Sequence, residues 1–241
     1  MENNIFQIKD INHIFRDGKP LEVIRDVSMS FAPGSFTAIV GPSGGGKSTL
    51  LRIMAGLIKP SAGEIQSHSK RISLVFQNFA IFPWLTAYEN VEFGLKMAGM
   101  KLSERQSIVK ATIEEVGLSG FEHHYPKDLS GGMRQRVGIA RALAIKPDLL
   151  LMDEPFSSLD TFTAQKLRAD LLDIWLKYKM TIVMVTHLIE EAVQLADNVI
   201  VLSQRPAHVK SVHHVHLSYP RNLRSHEFFS LVDTITSEID Q

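Results

Sequence analysis

One stretch of eight residues limits what this chain can fold into more than any other: Gly41-Pro42-Ser43-Gly44-Gly45-Gly46-Lys47-Ser48, with Thr49 next. It fits the pattern G-x-x-x-x-G-K-S/T, and its flanks suit that pattern. Residues 35–40 are a short apolar run of strand-forming residues, and residues 47–57 read as a helix. Each residue type has a physical task. Glycines let the backbone wrap closely round phosphate oxygens with N–H groups pointing inward. The helix that opens near Lys47 turns the positive end of its dipole toward the anion. Lys47 can reach the outer phosphates, and the Ser48 hydroxyl can ligate Mg2+. By itself the loop implies a nucleoside triphosphatase and nothing narrower.

The flanking chain reads as strands and helices in alternation. Residues 6–14 and 27–31 alternate apolar and polar, with turn chemistry at Asp17-Gly18-Lys19-Pro20 between them. Residues 86–143 are helical in character. Within them Ser103-Glu104-Arg105-Gln106 has the spacing of a capping box, ahead of an amphipathic stretch with Ile108, Ala111 and Val116. Residues 149–152 are continuously apolar, as in a strand buried on both faces. Leu167, Leu171, Ile174, Trp175 and Tyr178 then recur at helical spacing. A strand at 181–185, a helix through 190–195 and a strand at 199–202 follow. Such alternation implies a parallel sheet.

Composition sets the outer limits. At 241 residues, 44% apolar and 22% charged, the chain can form one large α/β domain or two small ones. Lys plus Arg equals Asp plus Glu at 26 each, so no global field draws it to nucleic acid or anionic lipid. With no cysteine, disulfides and thiolate metal sites are excluded. Residues 1–10 carry Glu2, Lys9 and Asp10 rather than the apolar centre of a signal peptide. No apolar run approaches the roughly 20 residues that cross a bilayer. If the protein works at a membrane, another chain must hold it there.

Two further stretches carry chemistry. Leu149-Leu150-Leu151-Met152-Asp153-Glu154 is an apolar strand ending in two carboxylates. Asp153 suits a water-bridged Mg2+ and Glu154 the attacking water, although a pair of acids at a strand end can also be merely solvated. Leu129-Ser130-Gly131-Gly132-Met133-Arg134-Gln135-Arg136 opens a helix. Its Ser-Gly-Gly start offers a hydroxyl and backbone N–H groups to an anion, or simply caps the helix.

At this point the chain resembles the ABC transporter ATPases, whose signature motif Leu129 to Met133 matches. The likeness spans residues 5–203. It implies that the signature of one subunit completes the ATP site of a second copy, two nucleotides lying between head-to-tail subunits. It also implies a role for Gln77 at the γ-phosphate and Mg2+, with Ser48 and Asp153 as the other metal-binding residues. Ser158-Leu159-Asp160 is similar to the loop that crosses the dimer interface, and His187 to the histidine at the γ-phosphate. Lys47, Glu154 and His187 form the implied catalytic set. The family stacks an aromatic on adenine; Phe15 is the candidate here, with Phe6 or a core role as alternatives. Leu188 departs from the polar or acidic residue usual after that histidine.

The resemblance further implies an α/β fold with a P-loop NTPase core and a mainly parallel sheet. An N-terminal antiparallel β-subdomain and a helical subdomain inserted at about 87–143 complete one domain, 1–241, with a short tail at 204–241. Phe82-Pro83-Trp84-Leu85-Thr86, Tyr125-Pro126, Leu129 to Arg136, Asp153-Glu154-Pro155-Phe156, Arg205-Pro206 and Pro220-Arg221 resemble importers of the nitrate, sulfonate and taurine type. Permease subunits, and through them an extracytoplasmic solute-binding protein, are then the partners, at the inner face of the cell membrane. Thiamin-precursor pyrimidines join the implied solutes. Phe79, Ile81, Phe82, Pro83, Trp84 and Leu85 crowd apolar surface just after Gln77, either as core or as the groove that receives a permease helix. A soluble ABC ATPase without a transporter, or a regulatory nucleotide-binding module, are the rival functions. Of the tail histidines His208, His213, His214 and His216, the last two would share a strand face. A solvated strand suits them better than a metal site, since no carboxylate sits among them.

Overall fold

The computed structural model describes residues 4–16 and 18–239. Asp17 of the first turn and Glu2 of the N-terminal stretch lie outside them. The chain forms two compact units, Met1–Ser69 with Lys179–Gln241, and Lys70–Tyr178.

The first unit holds two sheets. Strands β1 (Phe6–Phe15), β2 (Leu21–Phe31) and β4 (Ala62–Ser67) form an antiparallel sheet in the order β2-β1-β4. Phe6, Ile8 and Ile11 of β1 and Val27, Met29 and Phe31 of β2 are buried, which is the alternation a half-solvated sheet requires. In the other sheet β3 (Phe36–Val40) lies between β7 (Thr181–Val185) and β8 (Asn198–Leu202), parallel to both. Antiparallel β9 (Val209–His214) pairs with β8. Every residue of β3 and β7 is buried, so neither strand alternates. Helices α1 (Lys47–Met54), α6 (Ile189–Leu195) and α7 (His226–Ile239) complete the unit.

In the second unit β5 (Ile72–Val75) runs parallel to β6 (Leu149–Asp153). Between them in the chain come α2 (Ala87–Met97), α3 (Leu102–Glu115), a 3-10 turn at Pro126–Asp128 and α4 (Gly131–Ala144); α5 (Thr161–Tyr178) follows β6. The α/β architecture, the antiparallel N-terminal sheet and the mainly parallel strands agree with the sequence expectation.

Several local expectations need correction. Helix α1 stops at Met54, because Gly56 takes φ +73 and Leu57 donates its N–H back to Arg52 O at 2.9 Å. The capping box is not at Ser103. That residue lies inside α3, whose N-cap is Lys101, and Arg105 ties the helix start to Met100 O at 2.8 Å. The box forms at Thr86 and Glu89 instead, ahead of α2. The buried stripe of α3 is Val109, Thr112 and Ile113, followed by the buried C-cap residue Val116; Ala111 is exposed and Ile108 half-buried. Tyr178 is exposed, its hydroxyl donating to Glu115 at 2.8 Å. His216 lies beyond the end of β9, so it does not share a strand face with His214. A carboxylate does reach the tail histidines: Glu238 of α7 sits 3.0 Å from His213 Nε2. Among the described residues no His, Cys, Asp or Glu group of three could hold a metal ion.

One side chain organises the loop before α2. Asn90 is fully buried; it accepts from Phe82 N–H at 2.8 Å and donates to the carbonyls of Phe82, Leu85 and Thr86 at 3.1, 3.0 and 2.9 Å. Truncation would leave these backbone groups without that partner. Asn90→Ala is therefore expected to lower stability by roughly 2–3 kcal/mol in chemical denaturation. A change under about 0.5 kcal/mol, the range of an ordinary surface substitution, would show that the loop is held by other contacts.

Candidate functional site

Register places the site residues at the strand ends. In the first unit Ile39 of β3 is paired with Val185 of β7. Both chains run on in the same direction, so Gly41 and His187, each two residues further, leave neighbouring parallel strands at their C-terminal ends. Thr186 N–H still donates to Ile39 O at 3.1 Å. The C-terminal edge of a parallel sheet is where α/β folds bind ligands.

The loop that leaves β3 can be built only with glycine at its tightest points. A Cβ on Gly41, at φ +154, would lie 2.7 Å from Leu202 O. Gly46 has φ +92 and would set a Cβ 3.0 Å from a methyl of Val23. Between them Ser43 and Gly44 stand exposed at the crest, Gly45 is buried and Pro42 is half-buried. Gly46 is the N-cap of α1, which begins at Lys47 and carries the half-buried Ser48 and Thr49 in its first turn. Lys47 is only 5% exposed, and its ammonium donates to Gly41 O at 2.8 Å and Pro42 O at 2.9 Å. The loop thus curls round its own cation, with a helix N-terminus behind it.

Phe15 ends β1 and is 36% exposed, its ring edge-to-face with that of His13 at 4.6 Å. Phe6 is buried against Phe31, so it is a core residue and not the alternative stacking aromatic. His187 is exposed in the turn before α6. Leu188 supplies no polar group there; Thr186 does, its hydroxyl accepting from Leu188 N–H at 3.1 Å and donating to buried Glu191 at 2.8 Å.

The second unit repeats the strand-end logic. Val75 of β5 pairs with Met152 of β6, and the residues two further on are Gln77 and Glu154. They meet: Gln77 Nε2 donates to Glu154 Oε2 at 3.2 Å and to Ser157 Oγ at 3.3 Å. Ser157 in turn donates to Glu154 O at 3.0 Å, so it braces both; no sequence pattern had singled it out. Asp153 is 3% exposed at the end of β6. Glu154 itself has φ +43, a left-handed conformation that turns the chain sharply after the strand.

The same unit brings the Ser-Gly-Gly helix and the 158–160 loop together. Ser130 caps α4, its hydroxyl accepting from Met133 N–H at 3.3 Å, and Leu129 anchors the turn in the core. A Cβ on Gly131 would lie in ordinary contact with Leu159 Cδ2, at 3.8 Å. A Cβ on Gly132 would lie 2.3 Å from Thr163 Cγ2, so only glycine lets α4 approach α5 this closely. Asp160 caps α5 by accepting from Thr163 N–H at 3.0 Å; hydrogen bonds from the Thr163 hydroxyl first, and then from that N–H, hold its carboxyl below the usual range. Ser158 is exposed beside it.

A glycine cradle at a strand end, a carboxylate pair at another and a capped Ser-Gly-Gly helix are the working parts of an ATP-binding cassette. Residues 24–157, more than half the chain, match the ABC transporter family model, and the chain belongs to that family. It is 42% identical to the nitrate import ATP-binding protein of Synechocystis, over 96% of this chain and 93% of that protein. It is 40% identical to the aliphatic sulfonates import ATP-binding protein of Bacillus subtilis (94% and 90%), and 48% identical to the taurine import ATP-binding protein of Yersinia pestis (80% and 77%). In three dimensions it resembles a dimeric ATP-binding cassette in a post-hydrolysis state with ADP and Pi, at 31% identity and a TM-score of 0.78, covering 88% of this chain and 99% of that one. The protein is an ATP-binding and ATP-hydrolysing enzyme of this family.

Lys47 places the only ammonium of the cradle against two of its carbonyls. Lys47→Ala is expected to weaken ATP binding about 10- to 100-fold, the loss of a charge-assisted hydrogen bond. Titration calorimetry with MgATP checks this. Affinity within twofold of the parent would remove Lys47 from phosphate binding.

Proposed function

We propose that this chain powers import of a small solute through separate membrane permease subunits, as a head-to-tail dimer of two copies. No helix among the described residues is long and apolar enough to cross a membrane, so the peripheral position is supplied by the permease. The observation that carries the proposal is the Gln77–Glu154 hydrogen bond, because it links a hydrolytic acid to a loop with exposed aromatic surface.

In this mechanism the loop from Gly41 to Ser48 wraps the phosphates of ATP, and Lys47 turns its ammonium from loop carbonyls to the outer phosphates. Phe15 stacks on the adenine. Glu154 orients the attacking water and accepts its proton. His187 holds the γ-phosphate. Ser130 and Gly132 of the second copy present a hydroxyl and N–H groups to the same phosphate, while Ser158, Leu159 and Asp160 line the contact between copies. The Ser48 hydroxyl, the Asp153 carboxylate and the Gln77 amide oxygen are hard oxygen donors of the kind that would hold Mg2+. The amide nitrogen of Gln77 is engaged by Glu154 and Ser157, which would leave its oxygen for that role. Mg2+ would supply neutralisation of charge on the β- and γ-phosphates.

Two residues past Gln77 the chain enters the docking surface. Trp84 is 69% exposed, with Phe82 at 5.6 Å between ring centroids; Phe82 also packs on Phe93 at 4.6 Å and beneath the Arg141 guanidinium at 5.6 Å. Phe79 lies under Arg134, also at 5.6 Å. Half-buried rings with an exposed tryptophan make a platform for an apolar helix of the permease. The solute is of the small anionic type, in line with what the similar nitrate, sulfonate and taurine import proteins are named for.

Glu154→Gln keeps the shape and loses the base. It is expected to bind MgATP, accumulate dimer in light scattering, and hydrolyse at least about 100-fold more slowly. Turnover within threefold of the parent would exclude Glu154 as the base. Trp84→Ala is expected to weaken capture by the permease by about 2 kcal/mol or more, roughly 30-fold, with the ATPase of the isolated subunit unchanged. Unaltered permease binding would remove Trp84 from the docking surface.

A further inference from the structure

The turn that carries His187 is fixed at its near side by Thr186 and Glu191. Its far side is fixed by the tail. α6, which follows the turn, has seven residues, about 10 Å of helix, so little separates its two ends mechanically. At the C-terminal end the Arg221 guanidinium, 7% exposed, donates from Nη1 to Val193 O at 2.5 Å and Ala196 O at 2.8 Å. Its Nε donates to Leu217 O at 3.2 Å. Burial holds the Arg221 pKa below the ordinary guanidinium value. Tyr219 and the Asp197 carboxylate beside it offset that burial, and the last carbonyls of α6 accept from the guanidinium, though its Nη2 has no hydrogen-bond partner among the described residues.

Tyr219 adds a second tie. Its hydroxyl lies 2.9 Å from Leu195 O and 3.2 Å from Asp197 Oδ1, and its ring lies under the Arg221 guanidinium at 4.2 Å. The other oxygen of Asp197 accepts from Phe36 N–H at 3.1 Å, and Asp197 N–H donates to Phe36 O at 2.7 Å. Phe36 is the first residue of β3, the strand that runs straight into the glycine loop. One cluster therefore grips both the helix behind His187 and the root of the strand that carries the phosphate loop.

We propose that Arg221, assisted by Tyr219, is a positioning residue for ATP hydrolysis, fixing α6 against the root of β3 and so setting where His187 stands beside the phosphate loop. This rests on the ATPase reading above and adds to it a role for the tail. Neither side chain touches nucleotide in this scheme. Loss of the clamp should leave phosphate binding by the loop largely intact, while His187 drifts from the γ-phosphate. The effect then falls on kcat rather than on KM.

The test compares Arg221→Ala, Arg221→Lys and Tyr219→Phe in the full chain, each with and without His187→Ala. Steady-state ATPase per folded molecule, trinitrophenyl-ATP affinity and amide hydrogen exchange are the readouts. Arg221→Ala is expected to lower kcat at least fivefold with KM and nucleotide affinity within twofold, and Tyr219→Phe to lower kcat two- to threefold. Arg221→Lys should recover part of the loss. On the His187→Ala background Arg221→Ala should reduce kcat by less than twofold, because the group it positions is gone. Exchange at residues 186–196 should accelerate in Arg221→Ala and in Tyr219→Phe. An unchanged kcat per folded molecule, or an equal fold loss with and without His187, overturns the proposal. If Arg221→Ala does not fold, Tyr219→Phe decides by the same criteria, since it removes one oxygen and keeps the ring. A parent chain without ATP turnover overturns the ATPase reading instead. The exchange arm stands apart from that: unaltered exchange at 186–196 overturns the clamp alone.

Discussion

Parallel strand register is the constraint on which the site depends. In a parallel pair, residues at equal distances past a paired position emerge side by side from the same edge. Ile39 with Val185 and Val75 with Met152 each set this offset, and two residues later the chain delivers Gly41 with His187 and Gln77 with Glu154. A slip of one residue would turn every side chain of the strand to the other face and separate each pair. In β5 the buried Ser73 and Val75 alternate with half-buried Ile72 and Leu74, a difference between faces that opposes the slip. The apolar runs that build the core thus also deliver the candidate site residues to the sheet edge.

Residues placed by strand ends still need their turns held, and short polar side chains do this throughout. Asp160 caps α5, Ser130 caps α4, and the Thr86–Glu89 box starts α2. Thr186 spans His187, and Ser157 braces Glu154 with Gln77. Each cap is worth on the order of 1 kcal/mol, small against the core but enough to choose one turn geometry over another. Gly132 shows the opposite tactic, in which a missing side chain lets the first turn of α4 press against Thr163.

The sequence exposes those parts of this arrangement that obey short patterns with obligatory residue types. The glycine loop, the acids at the end of β6 and the capped Ser-Gly-Gly helix are legible because each is a short run of consecutive residues. The phase of α3 is not, since Thr112 occupies a core position by returning its hydroxyl to Ile108 O at 2.8 Å, and a count of apolar residues passes over it. Both Ser103 and Thr86 offer a capping-box pattern; the chain enters its helix in extended conformation at Thr86, but at Lys101 rather than Ser103. Ser157 follows no motif of its own. Arg221 finds its acceptors in Val193 and Ala196, 28 and 25 residues back, a separation that no local pattern can register.

Within the second unit a short path joins Glu154 to the exposed ring of Trp84. Glu154 accepts from Gln77, and two residues on, Phe79 and Ala80 take left-handed φ values of 58 and 46. Such values in non-glycine residues persist only where surroundings enforce them. Here Arg141 donates to Ala80 O at 2.8 Å and Arg134 lies over the Phe79 ring. Both arginines belong to α4, the helix that begins with Ser130 and Gly131. A change in how Glu154 holds Gln77 would thus meet a segment whose backbone is clamped by the signature helix, with the rings of Phe82 and Trp84 directly beyond. A clamped segment moves as a piece rather than dissipating a displacement residue by residue. That is the property the proposed coupling of Glu154 to Trp84 would require.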